Sequence, residues 1–347
     1  MVMVSNAPAR AVAKMPLNII MGVPDDRLCS ARAATHDGNL KVTLVGTACI
    51  IDMLPGRFFA PKIVNLDPGP IPDPLELGPG PFLNHIADPD RCEKTLLKLA
   101  KLVKRSRRAC FNHPQAVLET YRDRVAQSLS GIPRLAVPQT IRLIAQEPEK
   151  VADAIDQAGL GYPVIVRIAG DHGGVSMMKI DDSAGLSEIY KLNCYDKAIY
   201  VTQFHDFVSA DGRYRKFRVA VVGGKILLRH MLVGDNWLLH AERRGKNTEA
   251  EEARMLENFD EHVAPHISPV FKQITERLDL DYFGVDCNIT EEGEVTLFEA
   301  NACMNIMANT SPSPNMWDKP IVNIKRALFG LLRSPKLWRH PPQSVAA

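Results

Sequence analysis

The chain has 347 residues, 46% of them apolar, and its 42 Lys and Arg nearly balance 40 Asp and Glu to leave a net charge of +2. That length buries a large core and usually divides into two or three domains, while the balanced charge excludes whole-molecule attraction to nucleic acid or an anionic membrane. No apolar run is long enough to span a membrane, and the opening residues lack the apolar core and small-residue cleavage site of a signal peptide.

Seven cysteines, Cys29, Cys49, Cys92, Cys110, Cys194, Cys287 and Cys303, form no C-x-x-C pair. An odd number at wide spacing predicts buried thiols in a reducing, cytoplasmic setting. Cys303 differs from the rest because it lies two residues beyond Asn301, within a candidate site. The first fifteen or so residues are expected to be disordered.

Residues 17–22 and 41–46 are apolar runs closing on glycine, and 62–66 is a third, which predicts short strands of a small α/β unit. The Pro- and Gly-rich stretch 67–81 cannot continue a helix or a central strand and is expected as a surface loop. Leu96, Leu97, Leu99, Ala100 and Val103 give residues 90–104 the spacing of an amphipathic helix, whose basic end at 101–108 suits a helix C-terminus on a solvated face. A helix is predicted at 115–129, a strand at 135–138 and a second helix at 147–158. A strand at 162–168 then leads into Gly170-Asp171-His172-Gly173-Gly174, with a return strand at 175–180, a helix at 183–194 and a strand at 198–204. Gly223-Gly224 between 215–222 and 225–230 is a two-residue hairpin signal. After the polar stretch 242–252 come helices at about 251–260 and 266–278. His262 and His266 are four residues apart, but Pro265 is expected to break the helix between them, so no zinc site is expected there.

Residues 283–289 and 295–299 are two strands joined by the turn-forming Thr290-Glu291-Glu292-Gly293. Pairing them brings Asp286 near Glu299 and Asn301, a cluster of hard oxygen donors suited to Mg²⁺. On these residues alone, a solvated hairpin with chance acids is an equal alternative.

The order of these parts matters more than any one of them. A cation on an apolar strand, a glycine loop, a return strand, the 198–204 strand, an Arg-bearing hairpin and then D…E-x-N resembles the ATP-grasp superfamily, in particular its glutathione-synthetase and RimK-like ligases. The resemblance spans roughly residues 110–310, and its most specific pieces are Gly284-Val285-Asp286 and Phe298-Glu299-Ala300-Asn301. It implies that Asp286, Glu299 and Asn301 hold two Mg²⁺ ions, with Mn²⁺ as a substitute, on the phosphates of ATP. It implies that Gly170, Gly173 and Gly174 form a lid over the triphosphate, and that Arg124 and Arg167 stand where the family usually has Lys. Gln203 and Phe204 match the hinge that reads adenine, and Asp206 would face the ribose. Arg218 matches an arginine facing the transferred phosphate, and Arg229 a basic residue near the acyl phosphate. Asn236, Trp237 and His240 lie where related ligases have a substrate-facing segment.

The implied fold class is α/β (α+β): an ATP-grasp fold behind an N-terminal α/β pre-ATP-grasp domain at 1–111. A small subdomain with the glycine lid would occupy 112–205, a large subdomain with the Mg²⁺ site 206–335, and a tail 336–347. The implied function is an ATP-dependent carboxylate-amine ligase working through an acyl phosphate and releasing ADP and phosphate. Its partners would be a small-molecule or peptide carboxylate and an amine, with neither nucleic acid nor membrane; a homodimer fits equally. Two alternatives stay open: a sugar or inositol phosphate kinase on the same fold, and a non-catalytic ATP-binding module, which the Lys-to-Arg departures favour.

Overall fold

A computed structural model describes residues 13–341, apart from 34–39, 49, 51, 52, 72–74, 145, 146, 173, 175, 195, 196, 241–247 and 310. Most of the residues expected to be disordered, most of the polar stretch 242–252 and Gly173 of the glycine lid therefore lie outside the described residues. Among the described residues, no helix is long and apolar enough to cross a membrane.

Three sheets carry the architecture. The first runs β4 (Phe59–Leu66), β1 (Met15–Gly22), β5 (Phe82–Asn84), β6 (Cys110–Phe111), with every neighbouring pair parallel. Leu17, Asn18, Ile19 and Ile20 are all buried, as expected of a parallel strand covered on both faces. Asn18 is the polar exception; its carboxamide binds the main chain of Gly78 through both atoms (2.8 and 3.0 Å), fastening the Pro- and Gly-rich loop down. Residues 41–46 do not join this sheet. β2 (Ser30–Ala33) and β3 (Leu40–Thr43) pair only with each other. Helix α1 (Pro89–Ser106) opens with Pro89 behind the N-cap Asp88, whose carboxylate accepts the Asp90 N–H at 2.9 Å.

The second sheet is antiparallel, in the order β10 (Met178–Ile180), β9 (Val164–Ile168), β11 (Ile199–Gln203), β8 (Thr140–Leu143). Helix α4 (Pro148–Gln157) covers it with Val151 and Ile155, and the two sides share a core of their own. Residues 183–192 form a 3₁₀ helix where an α-helix was predicted.

The third sheet runs β13 (Lys225–Gly234), β12 (Tyr214–Val222), β14 (Tyr282–Ile289), β15 (Val295–Asn301), β7 (Leu135–Ala136). Gly223 and Gly224 both have positive φ (54° and 83°), which a two-residue turn matching the strand twist requires. The helix predicted at 115–129 is broken into α2 (Pro114–Leu118) and α3 (Arg122–Leu129). Helix α5 (Glu249–Asn258) runs through a π-turn into α6 (Ala264–Leu278), so Pro265 lies in the first turn of a helix instead of ending one. Helix α7 (Asp318–Leu332), which sequence reading did not find, buries Ile321, Ile324, Leu328 and Leu332. The first and third sheets share one apolar core.

Asn112 stitches those two sheets together. It takes a left-handed φ of 48°, which Asn tolerates better than most residues. Its side chain accepts the N–H groups of Asp281 and Tyr282 (2.9 Å each) and donates to the Tyr282 carbonyl (2.7 Å), while its own N–H reaches the Asp281 carboxylate at 2.7 Å. Asn112→Ala leaves buried polar groups unpaired and strains the backbone, so it should destabilise the fold by about 3 kcal/mol in urea unfolding; a loss under about 1 kcal/mol would deny Asn112 this part.

Candidate active site

β14 and β15 pair with Asp286 directly opposite Glu299, and Gly284 opposite Asn301. On the other side Asp286 faces Arg218 of β12, so Arg218, Asp286 and Glu299 form one rung across three strands. A register shift between Asp286 and Cys287 leaves Phe298 of β15 unpaired and bends β15 there, as β-bulges do. Gly284 is required by close approach: a Cβ on it would lie 2.5 Å from the Met304 sulfur, where the chain leaving β15 folds back over β14.

Cations surround both carboxylates. Arg218 grips Asp286 with two parallel bonds (2.8 and 2.9 Å), and Lys216, two residues along on the same face, reaches Asp286 at 3.2 Å. Arg122 binds Glu299 at 2.5 Å, and the Asn301 amide donates to the same oxygen. Burial would raise both carboxyl pKa values, but Lys216 and Arg218 hold Asp286 well below the usual range, and Arg122 with Arg167 brings Glu299 down to about 2. Burial and the neighbouring Arg122 lower Arg167 to about 10, so it remains a cation at neutral pH. Among the described residues its Nε is a buried donor with no acceptor, an orphan that a phosphate or carboxylate oxygen would satisfy.

These groups open into a cavity of about 210 Å³ between the second and third sheets. One end is polar, with Arg122, Arg167, Lys216, Arg218, Asp286 and Glu299. The apolar part of the lining includes Val137, Ile165, Leu297 and Phe298, and Gln203 and Phe204 also line the cavity. Phe204 is fixed there: its N–H donates to the Pro163 carbonyl (2.9 Å), Lys179 sits 4.7 Å over its ring, and Trp237 meets it edge-on. An apolar lining that adjoins a cationic cluster suits a ring linked to an anion.

The predicted site residues divide. Arg167, Arg218, Gln203, Phe204, Gly174, Asp286 and Glu299 line the cavity, as do Trp237 and His240. Asn301 acts behind Glu299, its Oδ1 accepting the Cys303 N–H at 3.1 Å. Gly170 and Gly174 have φ of 74° and 73°, conformations that glycine adopts without cost. The Gly170 carbonyl accepts from Arg91 at 2.9 Å, so this end of the loop is held against α1.

Three expectations are corrected. Arg124 lies outside the cavity, paired with Glu119 at 3.3 Å and stacked 4.9 Å over Tyr121. The break between α2 and α3 turns Arg122 inward in its place. Asp206 is exposed and caps its own loop through the Val208 N–H, and it does not line the cavity. Arg229 is buried and donates to the carbonyls of Ile306 and Ala308 (2.7 and 2.8 Å), so it braces the segment after β15 and does not line the cavity. Sequence reasoning missed Arg122 and Lys216; the period-two spacing of Lys216 and Arg218 was the available signal for the latter.

No family model matches the chain. Two solved structures superpose over nearly its whole length. The D-alanine-D-alanine ligase of Coxiella burnetii has TM-score 0.53 and 14% identity, covering 94% of this chain and 96% of its own. The Bacillus anthracis D-alanine–D-alanine ligase, complexed with ATP, has TM-score 0.54 and 12% identity, covering 94% and 99%. The chain has the ATP-grasp fold. A curated relative, the tetrahydromethanopterin:alpha-L-glutamate ligase of Methanococcus maripaludis, is 21% identical over 168 residues, which are 48% of this chain and 52% of that protein. The chain thus spans about half the length of that relative. The cavity lies between the second and third sheets of this fold, with Asp286 and Glu299 in its lining.

Breaking a largely buried ion pair leaves a charge uncompensated, whereas an exposed pair contributes little. Arg122→Ala should therefore cost about 2 kcal/mol of stability and Arg124→Ala less than about 1 kcal/mol. Chemical denaturation of the two variants checks this; equal losses would contradict the assignment of Arg122 to the site.

Proposed function

We propose that the protein is an ATP-dependent carboxylate-amine ligase. The observation that carries this reading is the polar end of the cleft, where four cations face two ionised carboxylates and one arginine N–H is buried without an acceptor. A cluster with that excess of positive charge suits a polyphosphate better than a neutral substrate. The apolar lining with Gln203 and Phe204 would take the adenine, and Gly174 with its loop would lie over the phosphates. The names of the similar proteins, two D-alanine-D-alanine ligases and a ligase of tetrahydromethanopterin and alpha-L-glutamate, support amide-bond formation.

Asp286 and Glu299 remain ionised at neutral pH and stand on one rung with the Asn301 carboxamide beside them, which is the hard oxygen set that Mg²⁺ prefers. They would hold the two Mg²⁺ ions, or Mn²⁺, that neutralise phosphate charge during transfer. Metal at those oxygens would release Arg218, Lys216 and Arg122 from their present carboxylate partners toward the phosphates. In the reaction, a substrate carboxylate oxygen attacks the γ-phosphorus, and the bond to the departing ADP breaks. The amine nitrogen then attacks the acyl carbon, phosphate leaves with the C–O bond pair, and the nitrogen gives up a proton to form the amide. Arg167 and Arg218 would stabilise the charge on the transferred phosphoryl group, and exclusion of water would leave the amine as the competent nucleophile. Arg229 contributes by holding the 306–308 segment against the site. The free thiols favour action in a reducing cytoplasm on a small-molecule or peptide carboxylate and an amine.

ADP release with Mg·ATP and a panel of carboxylates and amines tests the reading. Turnover should need both, and Glu299→Gln should lower kcat by at least about a hundredfold while far-UV circular dichroism stays unchanged. Near-normal turnover in that variant, or turnover that follows a hydroxyl acceptor instead of an amine, would overturn it.

A further inference from the structure

Beside Asn301, whose Oδ1 also lies 3.4 Å from the Cys303 sulfur, three potential metal ligands meet from three separate segments: Asp88, His172 and Cys303. Their ligand atoms all lie within 4.8 Å of one another. His172 Nε2 is 2.8 Å from Asp88 Oδ2 and 4.0 Å from Cys303 Sγ. We propose that Asp88, His172 and Cys303 form a binding site for a thiophilic divalent cation of the Zn²⁺ type, adjoining the proposed Mg²⁺ site at Asn301 but using a separate set of ligands.

The donor set itself selects the ion. One sulfur, one imidazole nitrogen and one carboxylate oxygen suit Zn²⁺ and repel the wholly oxygen-seeking Mg²⁺. Tetrahedral zinc with bonds of about 2.0–2.3 Å places N and O about 3.4 Å apart and N and S about 3.6 Å apart. The present distances bracket those values, so the ligands need to move by well under 1 Å each.

The ligands are also held in place. Asp88 is buried and its other oxygen is spent capping α1, which leaves Oδ2 aimed at His172. Cys303 is fixed by its own N–H on the Asn301 oxygen. His172 is exposed, which provides an entry path and room for water as the fourth ligand. Coordination would replace the hydrogen bond between Asp88 and His172 and release the Cys303 proton to solvent. It would tie the N-terminus of α1, the glycine-rich loop and the end of β15 through one atom. The inference stands independently of the ligase reading, because it requires no nucleotide and no turnover.

Co²⁺ titration of the full chain at saturating Mg²⁺ tests it. One equivalent should produce a thiolate-to-cobalt charge-transfer band in the near ultraviolet, and Zn²⁺ should displace it. Cys303→Ser should abolish the band. Asp88→Asn, which keeps the helix cap, and His172→Gln, on an exposed loop, should each weaken binding by about tenfold or more. Absence of the band in the unaltered protein, or its persistence in Cys303→Ser, would overturn the proposal.

Discussion

Two carboxylates placed face to face on neighbouring strands repel each other, and burying them is affordable only if cations come with them. In this chain Asp286 and Glu299 are such a pair, and their cations come from Arg122 at the start of α3, Arg167 on β9, and Lys216 and Arg218 on β12. β9 and β12 belong to the two sheets that border the cleft, and α3 supplies Arg122 alongside them. The electrostatic requirement of one hairpin therefore orders the surroundings of the whole cavity, and the same groups that neutralise the carboxylates are positioned to meet an incoming polyanion. On the proposed function, the structural and functional roles would be one arrangement in two states of partnership.

The N-terminal unit takes part in the site as well as flanking it. Its parallel sheet shares a core with the five-stranded sheet and is sewn to it through Asn112 and Asp281. From that fixed base, α1 sends Arg91 to the Gly170 carbonyl and Asp88 to His172. The smaller sheet has a separate core, and these polar contacts tie Gly170 and His172 of the glycine-rich loop to the N-terminal unit.

Much of this was legible in the chain. The β14–β15 hairpin announced itself through two apolar runs around Thr290-Glu291-Glu292-Gly293, and period-two alternation then put Asp286 beside Glu299. Gly223-Gly224 fixed the β12–β13 turn for an equally local reason. What failed were features decided by tertiary context. The phase of residues 115–129 cannot be carried across the break at 119–121, so Arg124 was assigned the place that Arg122 holds. Arg229 and Asp206 look like any other strand-end cation and acid until the carbonyls of Ile306 and Ala308 and the N–H of Val208 are seen to be their partners. The two-residue strand β6 carries no periodic signal at all, and the meeting of Asp88, His172 and Cys303 depends on contacts across 215 positions of sequence.

The central claim is that the Asp286–Glu299 rung holds divalent metal against a nucleotide's phosphates. Isothermal titration of the protein with a non-hydrolysable ATP analogue, with Mg²⁺ and then with chelator, addresses it most directly. The account predicts binding at least about tenfold tighter with Mg²⁺ present. Equal affinity under the two conditions, or no binding in either, would contradict it.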